Sequence, residues 1–476
     1  MNFKRITLIA GAALLANVML GCGAAADSPP ASKSDASRAS RSAALSEYGP
    51  IASPILMIGV DGLEWDLVVE LLAAGRMPNL AALIERGAYG YLETFEPTFS
   101  PIIWTTIATG RSKEEHGIVD FVQTEADGTQ HLLTNSDRKV KALWNIASDY
   151  GRRVCTVGWW VTYPVEPVNG VMIAQTNTLD DSRKMWKGEL VRGKPGQVYP
   201  PQRQNEVMDL LDDVESHMNQ LTRSIFGRFP HPFTQRDRVI WKRTRWSLRA
   251  DATYHRIALE LVKERPPFDL MMFYVGGTDV VGHRFWDFMK PELYEHKPSP
   301  EQIENLGDVV PDYYEYTDKV IGDLVSGMPP ETTVIVLSDH GMKPYHEEGR
   351  RFSAHHYDAP PGVLIAAGPY IRRQSEQSPK TLTVDDLPTL GGVMDITPTV
   401  LAMMRIPLGR DMHGRVLSDL FTPEFDVARQ PPPVATHDTD EFRNSRPQAP
   451  REDESERLDQ LRSLGYVGGE SDEDAD

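Results

Sequence analysis

Three short apolar runs in this 476-residue chain each end in acids and imidazoles set beside glycine. The first stops at Asp61-Gly62, the second at Gly276-Gly277-Thr278-Asp279 with His283 one helical turn further on, and the third at Ser338-Asp339-His340-Gly341. Aspartate and neutral histidine suit borderline divalent cations, and a set mixing them without cysteine is typical of hydrolytic rather than structural metal centres. Taken singly, each residue has an ordinary explanation: an Asp after a strand caps a helix or makes a turn, and a lone His such as His116 packs. Three runs delivering the same residue types are harder to explain by structure alone. A candidate nucleophile lies in Phe99-Ser100-Pro101, upstream of Gly110. Ser100 at a helix cap, Pro101 in the first turn and Gly110 as a stop make a plain capped helix. The same start would also aim a hydroxyl and free N–H groups at an anion, where a metal would stabilise the alkoxide.

Side chains so far apart in sequence meet only if the fold carries them to one place. Residues 54–60, 270–275, 333–337 and 362–367 are apolar runs of strand length, while 78–86, 252–265 and 397–403 carry helical spacing. Alternation of this kind predicts a mostly parallel sheet covered by helices on both faces, a three-layer αβα sandwich. In such a sheet ligands bind beyond the carboxyl ends of the strands, which is where the acids stand. Residues from about 177 to 249 are polar, with Pro-rich joints at Tyr199-Pro200-Pro201 and at 229–233, and read as an insertion capping the site. Cys155, in an apolar run, is expected to be a small core residue, and Trp159, Trp160 and Tyr163 either line a pocket or belong to the core.

The ends have a different character. Lys4 and Arg5, an apolar run over 6–20 and then Leu20-Gly21-Cys22 predict a signal peptide at 1–21 and lipid on Cys22, an ordinary cleaved signal with an incidental Cys being the alternative. Residues 22–50 form a flexible tether, 51–425 the folded domain, and 426–476 an acidic tail read as largely disordered apart from a short helix at 455–464. The protein is therefore expected to be exported and anchored to the cell envelope, on the periplasmic or outer-membrane side. Hydrophobic residues at 40% supply a large core, which excludes wholesale disorder. A formal net charge of -18 argues against nucleic-acid binding through phosphates, which needs clustered Lys and Arg.

In their order, Val60-Asp61-Gly62, Phe99-Ser100-Pro101, Thr109-Gly110, His116-Gly117-Ile118, Asp279 with His283, and Ser338-Asp339-His340-Gly341-Met342 resemble the alkaline phosphatase superfamily. The likeness is to its bacterial type I phosphodiesterase and nucleotide pyrophosphatase-like branch, over about residues 52–420. The resemblance implies two divalent metals, zinc or manganese, one held by Asp61, Ser100, Asp339 and His340, the other by Asp279, His283 and a histidine from Ser353-Ala354-His355-His356. The family pattern favours His356, with His355 the alternative. It also implies a phosphate-ester substrate and a two-step displacement through a phosphoseryl intermediate on Ser100, the metals stabilising the attacking and leaving oxygens. Gly465-Tyr466 is similar to a terminal motif of bacterial members. Asp120-Phe121 stands where the nucleotide pyrophosphatases carry Asn, which puts nucleotide specificity in doubt. A sulfatase of the same superfamily needs Pro and Arg two and four residues after its nucleophile, whereas Pro101 directly follows Ser100 and Trp104 takes the Arg place. A phosphomutase and a non-catalytic surface lipoprotein are the other readings.

Overall fold

The computed structural model describes residues 48, 51–52, 54–128, 130–175, 177–179, 186–345 and 352–448. The signal peptide, Cys22, most of the tether, the helix at 455–464 and Gly465-Tyr466 lie outside the described residues.

Nine strands form the central sheet: β1 Ile55–Val60, β2 Ala88–Glu93, β3 Val154–Val157, β4 Gly170–Ile173, β5 Val198–Tyr199, β6 Leu270–Val275, β7 Thr333–Leu337, β8 Gly362–Ala367 and β9 Thr389–Gly392. Their order across the sheet is β9-β2-β8-β7-β1-β6-β3-β4-β5. The middle run β7-β1-β6-β3-β4 is parallel throughout, and antiparallel pairs occur at β7–β8, β8–β2 and β4–β5. Every residue of β1, β6 and β7 is buried, as strands covered on both faces require, and this explains why their sequences run apolar without alternation.

Helices α1 Trp65–Ala73, α2 Pro78–Arg86, α4 Gln204–Phe226, α5 Gln235–Leu261, α6 Gly277–Met289 and α7 Val309–Gly327 make one layer. The other holds α3 Ser100–Thr109 and α8 Ile396–Met403. The expected α/β sandwich is thus the fold.

Three expectations change in detail. The helix read at 252–265 begins at Gln235, so the insertion does not end near 249 but continues as one helix into the body. The insertion is mainly the helical pair α4 and α5, closed by aromatic packing in which Phe229 lies 4.7 Å from Phe233 and 5.0 Å from Trp241, ring centre to ring centre. Residues 426–448, assigned to the tail, pack on the domain: Val434 N–H donates to Leu408 O at 2.9 Å and Lys141 N–H to Asp438 Oδ1 at 2.7 Å.

Candidate active site

Adjacency in the sheet is what gathers the acids. β7, β1 and β6 are neighbours in register, Gly59 beside Leu337 and Val60 beside Val275, so Asp61, Asp279 and Asp339 leave the sheet at one level. Asp61 follows β1 directly. Asp279 sits in the first turn of α6, His283 one turn later, and Asp339-His340 follow β7. Gly62 has φ +64°, and a Cβ there would lie 3.1 Å from the Asp279 Cα, so the turn out of β1 needs glycine for conformation and for space. At Gly277 a Cβ would meet the Tyr313 hydroxyl; the bare backbone instead donates to Asp251 Oδ2 at 2.9 Å.

Ser100 is the first residue of α3 and not its cap. Phe99 holds the cap position and no side chain caps the helix. The Ser100 side chain instead lines the same space as Asp61 and Asp279. The expected fan of free N–H groups is also smaller: Pro101 has none, and Ile102 and Ile103 both donate to Phe99 O, at 2.9 and 3.0 Å. Only the N–H of Ser100 itself remains in the first turn, so an anion at this hydroxyl would depend on cations for its grip. Gly110, with φ +66°, ends the helix as expected.

Ligand atoms of Asp61, Asp339 and His340 lie within 4.8 Å of one another, as do those of Asp279, His340 and His356. His283 joins the second group, its Nε2 3.3 Å from Asp279 Oδ1. His340 faces both groups, where the resemblance assigned it to one. None of these residues, nor Ser100, exceeds 4% exposure. His355 is half-buried and turned away, its ring 4.7 Å from that of Tyr345, whereas His356 stacks on His340 at 4.2 Å. His116 packs in the core, hydrogen-bonded to Thr106 at 3.1 Å.

The hydrogen bonds set the tautomers. Thr98 spends its one hydroxyl proton on His356 O at 2.7 Å, so the His356 Nδ1–H donates to Thr98 Oγ1 at 2.9 Å. His283 Nδ1–H donates to Ala354 O at 2.8 Å and His340 Nδ1–H to Gly341 O at 3.0 Å. In its neutral form each ring turns an Nε2 lone pair inward, the arrangement metal-ligating histidines adopt, although against burial the Asp279 charge raises His283 above its ordinary value. His340 Nε2 lies 3.4 Å from Asp61 Oδ1 and 3.2 Å from Asp339 Oδ2, acceptor against acceptor. Those three atoms are buried and have no hydrogen-bond partner among the described residues. Divalent cations fit them: the donor set is hard oxygen and imidazole nitrogen, already oriented.

Electrostatics carry the same message. Burial, then the Asp279 charge, push Asp61 up to about 7 against the hydrogen bonds from Tyr274 and Trp104. Burial and the charges of Asp61 and Asp279 hold Asp339 well above the usual carboxylate range. For Asp279 burial is outweighed by His283, His356 and His340, and its carboxyl is lowered. Burial keeps His340 neutral, lowered to about 4, and His356 lower still than its ordinary value. Without added positive charge the carboxylates cannot all ionise together.

Sequence reasoning did not single out the residues that aim Asp61. Trp104 Nε1 donates to Asp61 Oδ2 at 3.0 Å, the Tyr274 hydroxyl donates to the same oxygen, and Trp160 Nε1 donates to the Tyr274 oxygen at 2.7 Å. Trp104 lies one helical turn after Ser100, a spacing that marks it as a neighbour, while Tyr274 is the only residue with a hydroxyl in an otherwise apolar strand. Of the aromatics left open, Trp160 reaches the space in front of Ser100, and Trp159 is core, donating to Trp104 O at 3.2 Å. Cys155 is core as expected, a buried free thiol.

Fold and site together define an α/β protein with a carboxylate and imidazole cluster facing a serine at a helix start. The chain belongs to the type I phosphodiesterase / nucleotide pyrophosphatase family, whose model matches residues 55–378. Among proteins of known sequence it is 28% identical over 141 residues to a 2,3-bisphosphoglycerate-independent phosphoglycerate mutase of Nostoc sp., covering 29% of this chain and 25% of that one. The corresponding mutase of Trichormus variabilis is 28% identical over 134 residues, 27% of this chain and 24% of that one. The chain thus matches about a quarter of the length of these relatives. Among solved structures, murine ectonucleotide pyrophosphatase / phosphodiesterase 5 is similar with a TM-score of 0.45 at 12% identity, covering 77% of this chain and 100% of that one. Phosphonoacetate hydrolase from Sinorhizobium meliloti in complex with phosphonoformate gives 0.37 at 19% identity, covering 63% and 58%. Overlaps of that size do not decide between activities.

Proposed function

We propose that the protein is an exported phosphoric ester hydrolase, a phosphodiesterase or phosphatase, that holds two divalent metals and acts through a phosphoseryl intermediate on Ser100. The observation that carries the reading is the ring of buried, inward-facing acceptors on Asp61, Asp339 and His340, with Ser100 and Asp61 lining the same space. Charge supports two ions over one. Asp61, Asp279 and Asp339 with a Ser100 alkoxide carry four negative charges, which two divalent cations balance in a buried site. Asp61, Ser100, Asp339 and His340 would hold one ion and Asp279, His283 and His356 the other. Bound there, zinc or manganese supplies Lewis acidity at the attacking and leaving oxygens.

The chain's own residues do the rest. Asp61 lies beside Ser100 in the same space, and Trp104 and Tyr274 keep its carboxylate from turning. Ser100 Oγ loses its proton to solvent and bonds to phosphorus while the bond to the leaving alcohol oxygen breaks with its electron pair and that oxygen takes up a proton. A water oxygen then bonds to phosphorus, the Ser100 O–P bond breaks with its electron pair, and Ser100 regains a proton as phosphate, or the phosphomonoester from a diester, leaves. Thr98, Ala354 O and Gly341 O fix the imidazoles, so little reorganisation accompanies the change in charge. The tether and lipid on Cys22 would hold this domain at the envelope.

The full chain is assayed with aryl phosphate mono- and diesters, loaded with zinc or manganese and after chelation, beside Ser100→Ala. Metal-dependent turnover, loss of turnover in Ser100→Ala with metal retained, and phosphate trapped on Ser100 by acid quench are expected. Equal turnover by Ser100→Ala refutes the nucleophile. Incorporation of labelled fatty acid that Cys22→Ala abolishes tests the anchor.

A further inference from the structure

The loop that follows β7 is pinned peptide by peptide, and one of its partners is a buried carboxylate outside the cluster. His340 O accepts from the Ser338 hydroxyl at 2.8 Å, and Gly341 N–H donates to Pro360 O at 2.9 Å. The next peptide group, Gly341–Met342, is engaged at both ends. Its carbonyl accepts the His340 Nδ1–H at 3.0 Å, and its N–H donates to Glu64 Oε2 at 2.9 Å. Glu64 and His340 are thus joined through a single peptide group.

Glu64 is 2% exposed and stands between Asp61-Gly62 and α1. The backbone there is fixed without help from its carboxylate: Leu63 N–H donates to Ser338 Oγ at 3.0 Å, Glu64 N–H to the Tyr314 oxygen at 3.1 Å, and the Tyr314 hydroxyl to Gly62 O at 3.1 Å. The second carboxylate oxygen, Oε1, accepts from Asp66 N–H at 3.1 Å and caps α1. A cap alone needs only a short polar side chain, which Ser, Thr, Asp or Asn supplies. Burying a carboxylate is costly, and burial pushes Glu64 up to about 7 against the N–H groups of Asp66 and Met342. What the longer side chain gains is its reach to the second loop. A Cβ at Gly341 would overlap Glu64 Oε2, so glycine at that position admits the carboxylate to the peptide.

We propose that Glu64 is a positioning residue for the metal centre: through the Gly341–Met342 peptide it fixes the His340 ring and strengthens His340 Nε2 as an electron-pair donor. That role rests on the two-metal reading for what the nitrogen holds. Metal-ligating histidines pass their other N–H to a carboxylate or a carbonyl, and the partner both orients the ring and raises its basicity. Here the partner is a carbonyl with a carboxylate behind it, and hydrogen bonds in such a chain polarise one another. His340 is the imidazole shared by both groups of ligand atoms, so a change at Glu64 reaches the centre of the cluster.

Two substitutions in the full chain separate charge from shape. Glu64→Gln keeps the length and one amide oxygen but removes the charge, and Glu64→Met removes both acceptors. Above about pH 8, where the Glu64 carboxyl is ionised, zinc affinity of the chelated protein is measured by competition with a chromophoric chelator. It should fall about tenfold in Glu64→Gln and about 100-fold in Glu64→Met, the range for groups behind a ligand. The ligand-field absorption of the cobalt-loaded protein should shift in Glu64→Gln. A third readout needs no metal: the His340 Nδ1–H resonance of protein carrying isotope-labelled histidine, assigned by its loss in His340→Asn, should move upfield in Glu64→Gln as its hydrogen bond weakens. A role confined to capping α1 would lower stability and leave that resonance and the cobalt spectrum as in wild type, and this result overturns the proposal. So does zinc affinity within about twofold of wild type in folded Glu64→Gln, whatever the resonance does. If wild type itself binds no zinc or cobalt, the two-metal reading fails separately, and the resonance alone then decides whether Glu64 acts on His340.

Discussion

Tyr274→Phe is the substitution most directly tied to the geometry, because it deletes one oxygen and leaves the ring. That oxygen donates to Asp61 Oδ2 and accepts from Trp160 Nε1 at 2.7 Å, while Trp104 Nε1 donates to the same Asp61 oxygen at 3.0 Å. Loss of a hydrogen bond to a carboxylate costs about 1.5–3 kcal/mol, and taking the acceptor from a buried indole N–H costs about 1–3 kcal/mol more. The variant should therefore unfold about 2.5–6 kcal/mol more easily, the lower figure applying if water enters beside Phe. Its effect on the metal follows from orientation. With both donors present Asp61 Oδ2 is held and Oδ1 turned inward; with Trp104 alone the carboxylate rotates more freely. Changes of this kind behind a ligand typically cost about 10- to 100-fold in metal affinity, and the remaining Trp104 bond places the expectation near the low end, about tenfold. Competition against a chromophoric chelator gives the affinity for zinc, and urea unfolding of the metal-free protein gives the stability. A folded variant with affinity within about twofold of wild type would falsify the role given to Tyr274. So would a loss of stability with metal affinity untouched, since that pattern belongs to a residue that merely packs.

Three further outcomes are expected. Thr98→Val removes the hydroxyl that fixes the His356 tautomer and should weaken binding of one of two metal equivalents about tenfold, with Thr98→Ser restoring it; a titration in which both equivalents stay unchanged rules this out. Asp251, pushed up from 3.8 to about 6 by burial against the bonds from Tyr313, Gly276 and Gly277, binds its proton more tightly folded than unfolded, so its contribution is full below about pH 4 and lost as pH rises to about 6. The stability of wild type relative to Asp251→Asn should accordingly fall by about 3 kcal/mol across that window and then level off, and parallel pH curves would contradict it. Burial raises the Cys155 thiol far above its ordinary value, so it should resist a disulfide reagent at pH 8 until the protein unfolds; labelling at the rate of an exposed thiol would be inconsistent with its place in β3.

Much of the fold could be read along the chain. The runs at 54–60, 270–275, 333–337 and 362–367 are strands because a residue buried on both faces has to be apolar, and composition shows that directly. β2, with the sequence AYGYLE, was not anticipated: it carries two glycine-sized or small positions and a charge, and becomes a strand by pairing with β8 and β9. The long helix α5 was read only in its second half. Its first half is rich in Arg, Lys and Asp, and its periodicity is obscured because different faces meet α4, α6, α7 and the space before Ser100. The cap expected at Ser100 failed for an instructive reason: a Ser-Pro pair starts a helix equally well one residue out of phase, and the side chain then faces the space it shares with Asp61.

What the chain carries by itself is residue chemistry and local period: which strands are buried, that acids and imidazoles stand at their ends, and that a serine opens a helix. Those properties depend on neighbours a few positions away, so they survive without the fold. Only the tertiary structure decides that β7, β1 and β6 are adjacent, that His356 rather than His355 turns inward, and that Tyr274 and Trp104 share one oxygen of Asp61. Strand order and ring orientation are set by contacts between segments hundreds of residues apart, where geometry and not composition selects the partner.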